Sequence, residues 1–238
     1  MHIMKNPSRD EGKEVMPNMQ RRNFLKYLGM GSALVTAVSI ASSCNKDDNN
    51  PPANNGVSLG SGDVAVLNYA YALEQLEAAF YTQVVNSPYA GMTSTELDFF
   101  QNIRDHEIGH REFFKAALST SAIAGLDVNF SSIDFSKRDS VLGTAKAFED
   151  LGVSAYNGAA QYISKTATGL VYLGLAGKIV SVEARHAAYI RDLISPGSFA
   201  DTDVIDANGL DMVRTPAQVF AIAGTYIKTK IDTTTLPK

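Results

Sequence analysis

Two short motifs occur twice in this chain, in alternation, and they limit its possible folds more than any other feature. The first is a Glu followed by a Tyr seven residues later, and the second is Glu-x-x-His. They alternate as Glu74/Tyr81, Glu107/His110, Glu149/Tyr156 and Glu183/His186. The leading glutamates are 33 residues apart in the first half and 34 in the second, so the two halves are near copies.

Apolar residues around these motifs recur every three to four positions, which is typical of amphipathic helices. The periodicity predicts helices at about 62–85, 94–118, 137–164 and 169–193. Short connections near 86–88 and 165–167 predict two antiparallel hairpins, whereas the connection at about 119–136 can span a bundle at ~3.3 Å per residue. The sequence therefore predicts an all-α four-helix bundle with a long crossover between its second and third helices.

Each predicted helix places a glutamate in the middle of its apolar face. Ionised carboxylates are costly in a low-dielectric core unless they are paired, protonated or bound to a cation. Two divalent ions balance four such charges, and Glu-x-x-His brings a carboxylate and a neutral imidazole to the same helix face. Oxygen-rich ligation without thiolates favours Fe or Mn over zinc or copper(I). The pattern thus predicts a dinuclear Fe or Mn centre.

Each motif alone has a simpler interpretation. A single Glu-x-x-His on a solvated helix carries no information, and one buried Glu is more often a salt-bridge partner than a ligand. Tyr81 and Tyr156, taken singly, would be core residues with a hydroxyl partner. The metal prediction depends on all four motifs occurring together on the inward faces.

Residues 62–193 resemble the ferritin-like superfamily, and in particular its ferritin-like or desiccation-associated branch, through the segments at 67–70, 73–81 and 182–186. The resemblance implies two bound metal ions, with Glu107 and Glu183 as bridging carboxylates and Glu74 and Glu149 as terminal ones. The full ligand set it implies is Glu74, Glu107, His110, Glu149, Glu183 and His186.

Glu77 competes with Glu74 for a place in that set. Glu74 is preferred because it matches Glu149 in the repeat, whereas Glu77 matches Gly152. Three further polar residues adjoin the ligands and could orient the histidines from outside, although we expect them to face solvent: Asp105, His106 and Asp150.

Two functions remain open. A dinuclear centre could act on O2, peroxide or Fe(II) in stress protection, as a peroxidase, catalase or ferroxidase, with Tyr81 and Tyr156 as catalytic residues that tune the metals or donate an electron. The alternative is a non-catalytic metal-binding or structural lipoprotein of the cell envelope. The sequence does not indicate the oligomeric state.

The N-terminal segment resembles a twin-arginine export signal that ends in a lipoprotein cleavage box. Arg21 and Arg22 precede a weakly apolar run at 27–41, and small residues lead to Cys44. A membrane-anchor helix is the alternative, but the run is shorter than the ~20 residues that a span needs. We expect lipidation at Cys44 and attachment to a membrane through that lipid. The protein would then be periplasmic or an outer-membrane lipoprotein, with surface exposure as a further option.

These signals divide the chain into four parts. Residues 1–43 form the export segment, 44–60 a polar linker, 61–195 the bundle, and 196–238 a loop with a short helix at about 215–227 that covers one end or side of the bundle. Cys44 is the only cysteine, which excludes internal disulfides and cysteine-based metal centres. The net charge of -4 and the lack of basic clusters in the folded part exclude nucleic acid as a partner.

Overall fold

The computed structural model describes residues 56–238. The predicted export segment, Cys44 and most of the linker lie outside this range. The described part contains five α-helices: α1 (Gly62–Asn86), α2 (Ser94–Leu118), α3 (Arg138–Ala159), α4 (Ala167–Ile194) and α5 (Pro216–Ala223). Between residues 56 and 238 the only β-structure consists of isolated bridges. The prediction of an all-α bundle with a long crossover and a short C-terminal helix is confirmed.

Local hydrogen bonds fix where the helices begin. Thr93 and Glu96 form a capping box before α2, in which the Glu96 amide donates to the Thr93 hydroxyl at 3.1 Å and the Thr93 amide donates to the Glu96 carboxylate at 3.0 Å. The Thr166 hydroxyl accepts from the Gly169 amide at 3.0 Å, so α4 begins two residues before its predicted start.

The third helix ends earlier than the sequence predicts. After Ala159 the backbone tightens into a 3-10 turn, and Ser164 then donates from both its amide and its hydroxyl to the Asp63 carboxylate, each at 2.7 Å. Asp63 belongs to the first turn of α1, so these bonds join the C-terminal end of α3 to the start of α1.

Helix α1 packs along α2 and α3 along α4, and a cluster of aromatic rings joins the two hairpins to the crossover. Phe80 of α1 is fully buried at the centre of this cluster. Its ring lies 5.1 Å from that of Phe148 on α3 and 6.0 and 5.8 Å from those of Phe130 and Phe135 in the crossover. The crossover is thereby held against the bundle that it spans.

The C-terminal segment packs on the side formed by α1 and α3. The Phe220 ring of α5 lies 5.7 Å from that of Tyr69, and the Tyr226 ring lies 4.9 Å from that of Phe148. The carbonyl oxygen of Tyr226 also accepts a hydrogen bond from the Asn129 amide at 2.7 Å. This segment therefore covers one side of the bundle and the crossover together.

Helix α4 is buried mainly in its C-terminal half. Leu170 and Val171 in its first turns are 56% and 60% exposed, whereas Glu183, His186 and Ile190 lie inside the bundle. Its most apolar 18-residue window has a mean hydropathy of 1.2, so by length and composition alone the helix could cross a membrane. A single helix that meets this criterion is weak evidence for a membrane span.

Gly158 on α3 provides a test of how closely the C-terminal segment packs. A Cβ at this position would lie 1.8 Å from the Arg214 carbonyl oxygen, so Gly158→Ala must displace backbone. We expect a loss of about 1–3 kcal/mol in unfolding free energy, measured by urea denaturation. Gly143→Ala on the same helix meets nothing within 4 Å and should stabilise by about 0.5–1 kcal/mol. Equal effects of the two substitutions would contradict this packing.

Candidate metal centre

The four helices of the bundle each contribute one fully buried glutamate to its centre. Glu74, Glu107, Glu149 and Glu183 lie near the middles of α1 to α4, and each is 0% exposed. A buried carboxylate costs several kcal/mol when it is ionised and uncompensated, and four at one depth also repel each other. The bundle must therefore supply protons or cations at this point.

His110 directs its Nδ1 atom into the glutamate cluster. This nitrogen lies 2.8 Å from Glu183 Oε1, 3.4 Å from Glu74 Oε2 and 3.5 Å from Glu107 Oε2. His186 does the same from α4: its Nδ1 lies 3.0 Å from Glu107 Oε1, 3.4 Å from Glu149 Oε2 and 3.6 Å from Glu183 Oε2. The two histidines thus face the cluster through the same ring nitrogen.

The six side chains form two overlapping groups with the spacing of metal ligands. Within each group, one ligand atom per residue lies within 4.8 Å of the others. Glu107 and Glu183 belong to both groups, as a bridging carboxylate must. The groups are Glu74, Glu107, His110 and Glu183, and Glu107, Glu149, Glu183 and His186. The structure therefore brings together all six residues that the sequence singled out.

Most polar atoms at the centre have no hydrogen-bond partner. The contacts between the carboxylates and the imidazoles are short, but none has the direction of a hydrogen bond. Eight buried atoms are therefore unsatisfied: Glu74 Oε2, both carboxylate oxygens of Glu107 and of Glu183, Glu149 Oε2, and Nδ1 of His110 and of His186. Buried polar atoms are rarely left in this state. Six oxygens and two nitrogens that converge in this way fit two hard or borderline divalent cations.

Two tyrosines cross the bundle to hold the remaining carboxylate oxygens. The Tyr81 hydroxyl of α1 donates to Glu149 Oε1 on α3 at 2.5 Å, and the Tyr156 hydroxyl of α3 donates to Glu74 Oε1 on α1. The exchange is reciprocal, as the sequence repeat requires. Burial, together with the charge of the carboxylate that each one contacts, raises the pKa of both tyrosines well above its usual value. Both therefore stay protonated and remain donors.

Without bound cations, protons partly neutralise the cluster. Burial and the neighbouring Glu183 raise the pKa of Glu107 well above its usual range, and burial raises that of Glu149 to about 7. Burial alone would lower the pKa of His186, but attraction to Glu149 and close contacts with the surrounding carboxylates raise it to about 12. The contacts with both histidines outweigh burial at Glu183 and lower its pKa to about 2.

Glu77 is a fifth carboxyl group in the bundle core. It is 4% exposed and belongs to neither ligand group. Burial and repulsion from the four cluster glutamates raise its pKa well above the usual range, which favours its neutral form. A Cβ at Gly152 would lie 3.1 Å from Glu77 Oε1, so the glycine leaves room for this side chain. The same repeat that matches position 77 to position 152 could have indicated this contact.

The three polar residues beside the ligands have different surroundings. Asp105 is exposed and pairs with Arg104 at 2.8 Å, so its expected exposure is confirmed. Asp150 instead accepts two hydrogen bonds, at 2.8 and 2.7 Å, from Arg191, which is only 3% exposed, so the expectation of a purely solvent-facing residue was wrong. A buried guanidinium requires such a partner.

His106 is exposed, as expected, and it also contacts a ligand histidine. Its side chain reaches the surface, but its Nδ1 lies 2.9 Å from Nε2 of His186. One residue before Glu107 on α2, it therefore contacts a ligand of α4, which the sequence of α2 alone could not show.

Comparison with known protein families agrees with this geometry. The model of the ferritin-like domain family matches residues 62–196, which is more than half of the chain and includes all four bundle helices. The chain belongs to the ferritin-like domain family. A search of curated proteins finds no match to this chain. The family match therefore supports the fold independently, and the buried carboxylates and histidines that could hold metal are shown by the geometry above.

The protonation of the cluster makes metal binding dependent on pH. Ligand histidines must be neutral and ligand carboxylates ionised, so binding displaces the protons that the raised pKa values of His186 and Glu107 retain. We expect Mn(II) binding to release at least one proton, and the apparent affinity to rise about tenfold per pH unit for each proton released. Calorimetry in buffers of different protonation enthalpy measures this number. Binding that is independent of the buffer and of pH would contradict it.

Proposed function

We propose that this ferritin-like domain holds two Fe or Mn ions and uses them for redox chemistry on O2, peroxide or Fe(II) in stress protection. The observation that carries the proposal is the convergence of eight unsatisfied buried atoms from six side chains on one point of the bundle. A helical core gains nothing from such an arrangement unless cations complete it.

Each half of the repeat supplies one ion with a terminal carboxylate and a histidine. Glu74 and His110 serve one position, and Glu149 and His186 serve the other. Glu107 and Glu183 belong to both groups and would contribute to both positions. The charges support this assignment, because four carboxylates and two neutral imidazoles balance two divalent ions.

When bound, the two ions supply one-electron steps and coordination positions for a small oxidant or for Fe(II). The protein holds the terminal carboxylates in place through the Tyr81 and Tyr156 hydroxyls. It also excludes bulk water, since all four glutamates are fully buried. That burial restricts the substrate to a molecule of a few atoms or a single ion. Tyr81 and Tyr156 are the candidate electron donors, because their rings are the redox-active groups that contact the ligands.

We also propose that the chain is exported and anchored by a lipid at Cys44, as a desiccation-associated type of ferritin-like lipoprotein. Support comes from the sequence: the arginine pair, the short apolar run and the small residues before the cysteine. Twin-arginine export moves folded proteins, so the metals could be loaded before export. Mass spectrometry of membrane-bound protein tests the lipid, with Cys44→Ser as the unmodified control.

Metal content and turnover test the proposed function. We expect full-length protein from cells supplied with Fe and Mn to hold about two metal ions per chain, and Glu107→Ala to lose both, because Glu107 belongs to both groups. Glu112→Ala is the matched control on the same helix, since Glu112 is about half exposed and pairs with Arg111. Fewer than about half an ion per parent chain would contradict the site.

Turnover separates the two functional classes. The redox enzyme is supported if the metal-loaded parent consumes peroxide or O2 or oxidises Fe(II). The same activity should be lost in Glu107→Ala and retained in Glu112→Ala. Two bound metals without turnover under several reductants would instead establish the non-catalytic metal-binding lipoprotein.

A further inference from the structure

The hydrogen bond between His106 and His186 has a well-defined geometry. The two ring planes differ by 8° and the ring centroids are 5.2 Å apart. Nδ1 of His106 lies 2.9 Å from Nε2 of His186. Adding the radii of the two rings to this distance gives the observed separation of the ring centroids. The rings are therefore coplanar and meet edge to edge, which is the best direction for an N–H···N hydrogen bond.

This hydrogen bond fixes which nitrogen of His186 carries its proton when the residue is a neutral ligand. Nδ1 faces the carboxylate cluster, so the proton of the neutral ring is on Nε2 and is donated to Nδ1 of His106. His106 then carries its own proton on Nε2. The ring of His186 is thereby held in the tautomer and orientation that direct Nδ1 toward the cluster.

The other half of the repeat has no counterpart to this bond. His110 matches His186 at an offset of 76 residues, and the same offset matches His106 to Val182. A valine side chain can neither donate nor accept a hydrogen bond. The side chain of His110 is 14% exposed, and Val182 gives it no partner equivalent to His106. The repeat is thus broken at the one position that supports a ligand histidine from outside.

We propose that His106 is a positioning residue that makes the two metal positions unequal, so that the position served by Glu149 and His186 fills first and binds its ion more tightly. The inference rests on the proposed metal centre. Outer partners of ligand histidines fix ring orientation and raise ligand basicity, and their loss typically reduces metal affinity by about 10–100-fold. Only the position of Glu149 and His186 has a histidine as this outer partner.

Stepwise titration of the metal-free, full-length protein with Mn(II) tests the proposal. We expect two binding steps of unequal affinity in the parent. Glu149→Gln should remove the tighter step, whereas Glu74→Gln should spare it. His106→Phe keeps a planar ring but removes both ring nitrogens, and it should weaken the tighter step about 10–100-fold while leaving the weaker step unchanged.

Three further variants separate positioning from a structural role. In His106→Asn the amide oxygen takes the place of Nδ1 as the hydrogen-bond acceptor. This variant should therefore recover part of the affinity that His106→Phe loses. Val182→His places the missing ring in the other half and should strengthen the weaker step. Asp105→Asn, which changes an exposed neighbour, should behave as the parent does. Electron paramagnetic resonance at one Mn(II) per chain reports whether a single position is filled.

The possible failures are distinguishable. A parent that binds no metal would overturn the proposed function and this inference together. A parent that binds two ions, with His106→Phe unchanged or weakened equally in both steps, would overturn this inference alone. If Glu74→Gln removed the tighter step and Glu149→Gln spared it, the tighter position would be the one served by Glu74 and His110. That outcome would also overturn this inference.

Discussion

Repulsion among four carboxylates at one level of the bundle is the constraint on which the rest of the structure depends. Each helix contributes one of them, and none is exposed. Glu74 and Glu149 each accept a hydrogen bond from a tyrosine of the opposite hairpin. The Nδ1 atoms of the two histidines approach the carboxylates without hydrogen-bonding them. Such a core is poor for stability and suited to function, because only cations relieve it fully.

The sequence predicts most of this arrangement because its information is periodic. Helical spacing assigns Glu107 and His110 to one face, and the near-identical halves imply that Glu183 and His186 meet them. Connection lengths then decide which helices are neighbours. The last turns are less predictable, since the end of α3 depends on bonds from Ser164 to Asp63, about a hundred residues away in the chain.

Contacts between side chains on different helices escape such reasoning. Periodicity leaves His106 outside the inward face of α2, and it does not reveal that a ring of α4 reaches it. Periodicity likewise cannot show that Asp150 accepts hydrogen bonds from Arg191. Both contacts depend on the rotation of one helix relative to another by a fraction of a turn, and packing of complete side chains determines that rotation.

The contact between Glu77 and Gly152 requires the two hairpins to differ from each other. The two residues occupy equivalent positions in the repeat, and the side chain of one fills the space left by the other. Two identical hairpins that paired as a dimer would bring two glutamates or two glycines together there, producing either a clash of acids or a void. In one polypeptide the two hairpins need not be identical, so an acid on one can face a glycine on the other.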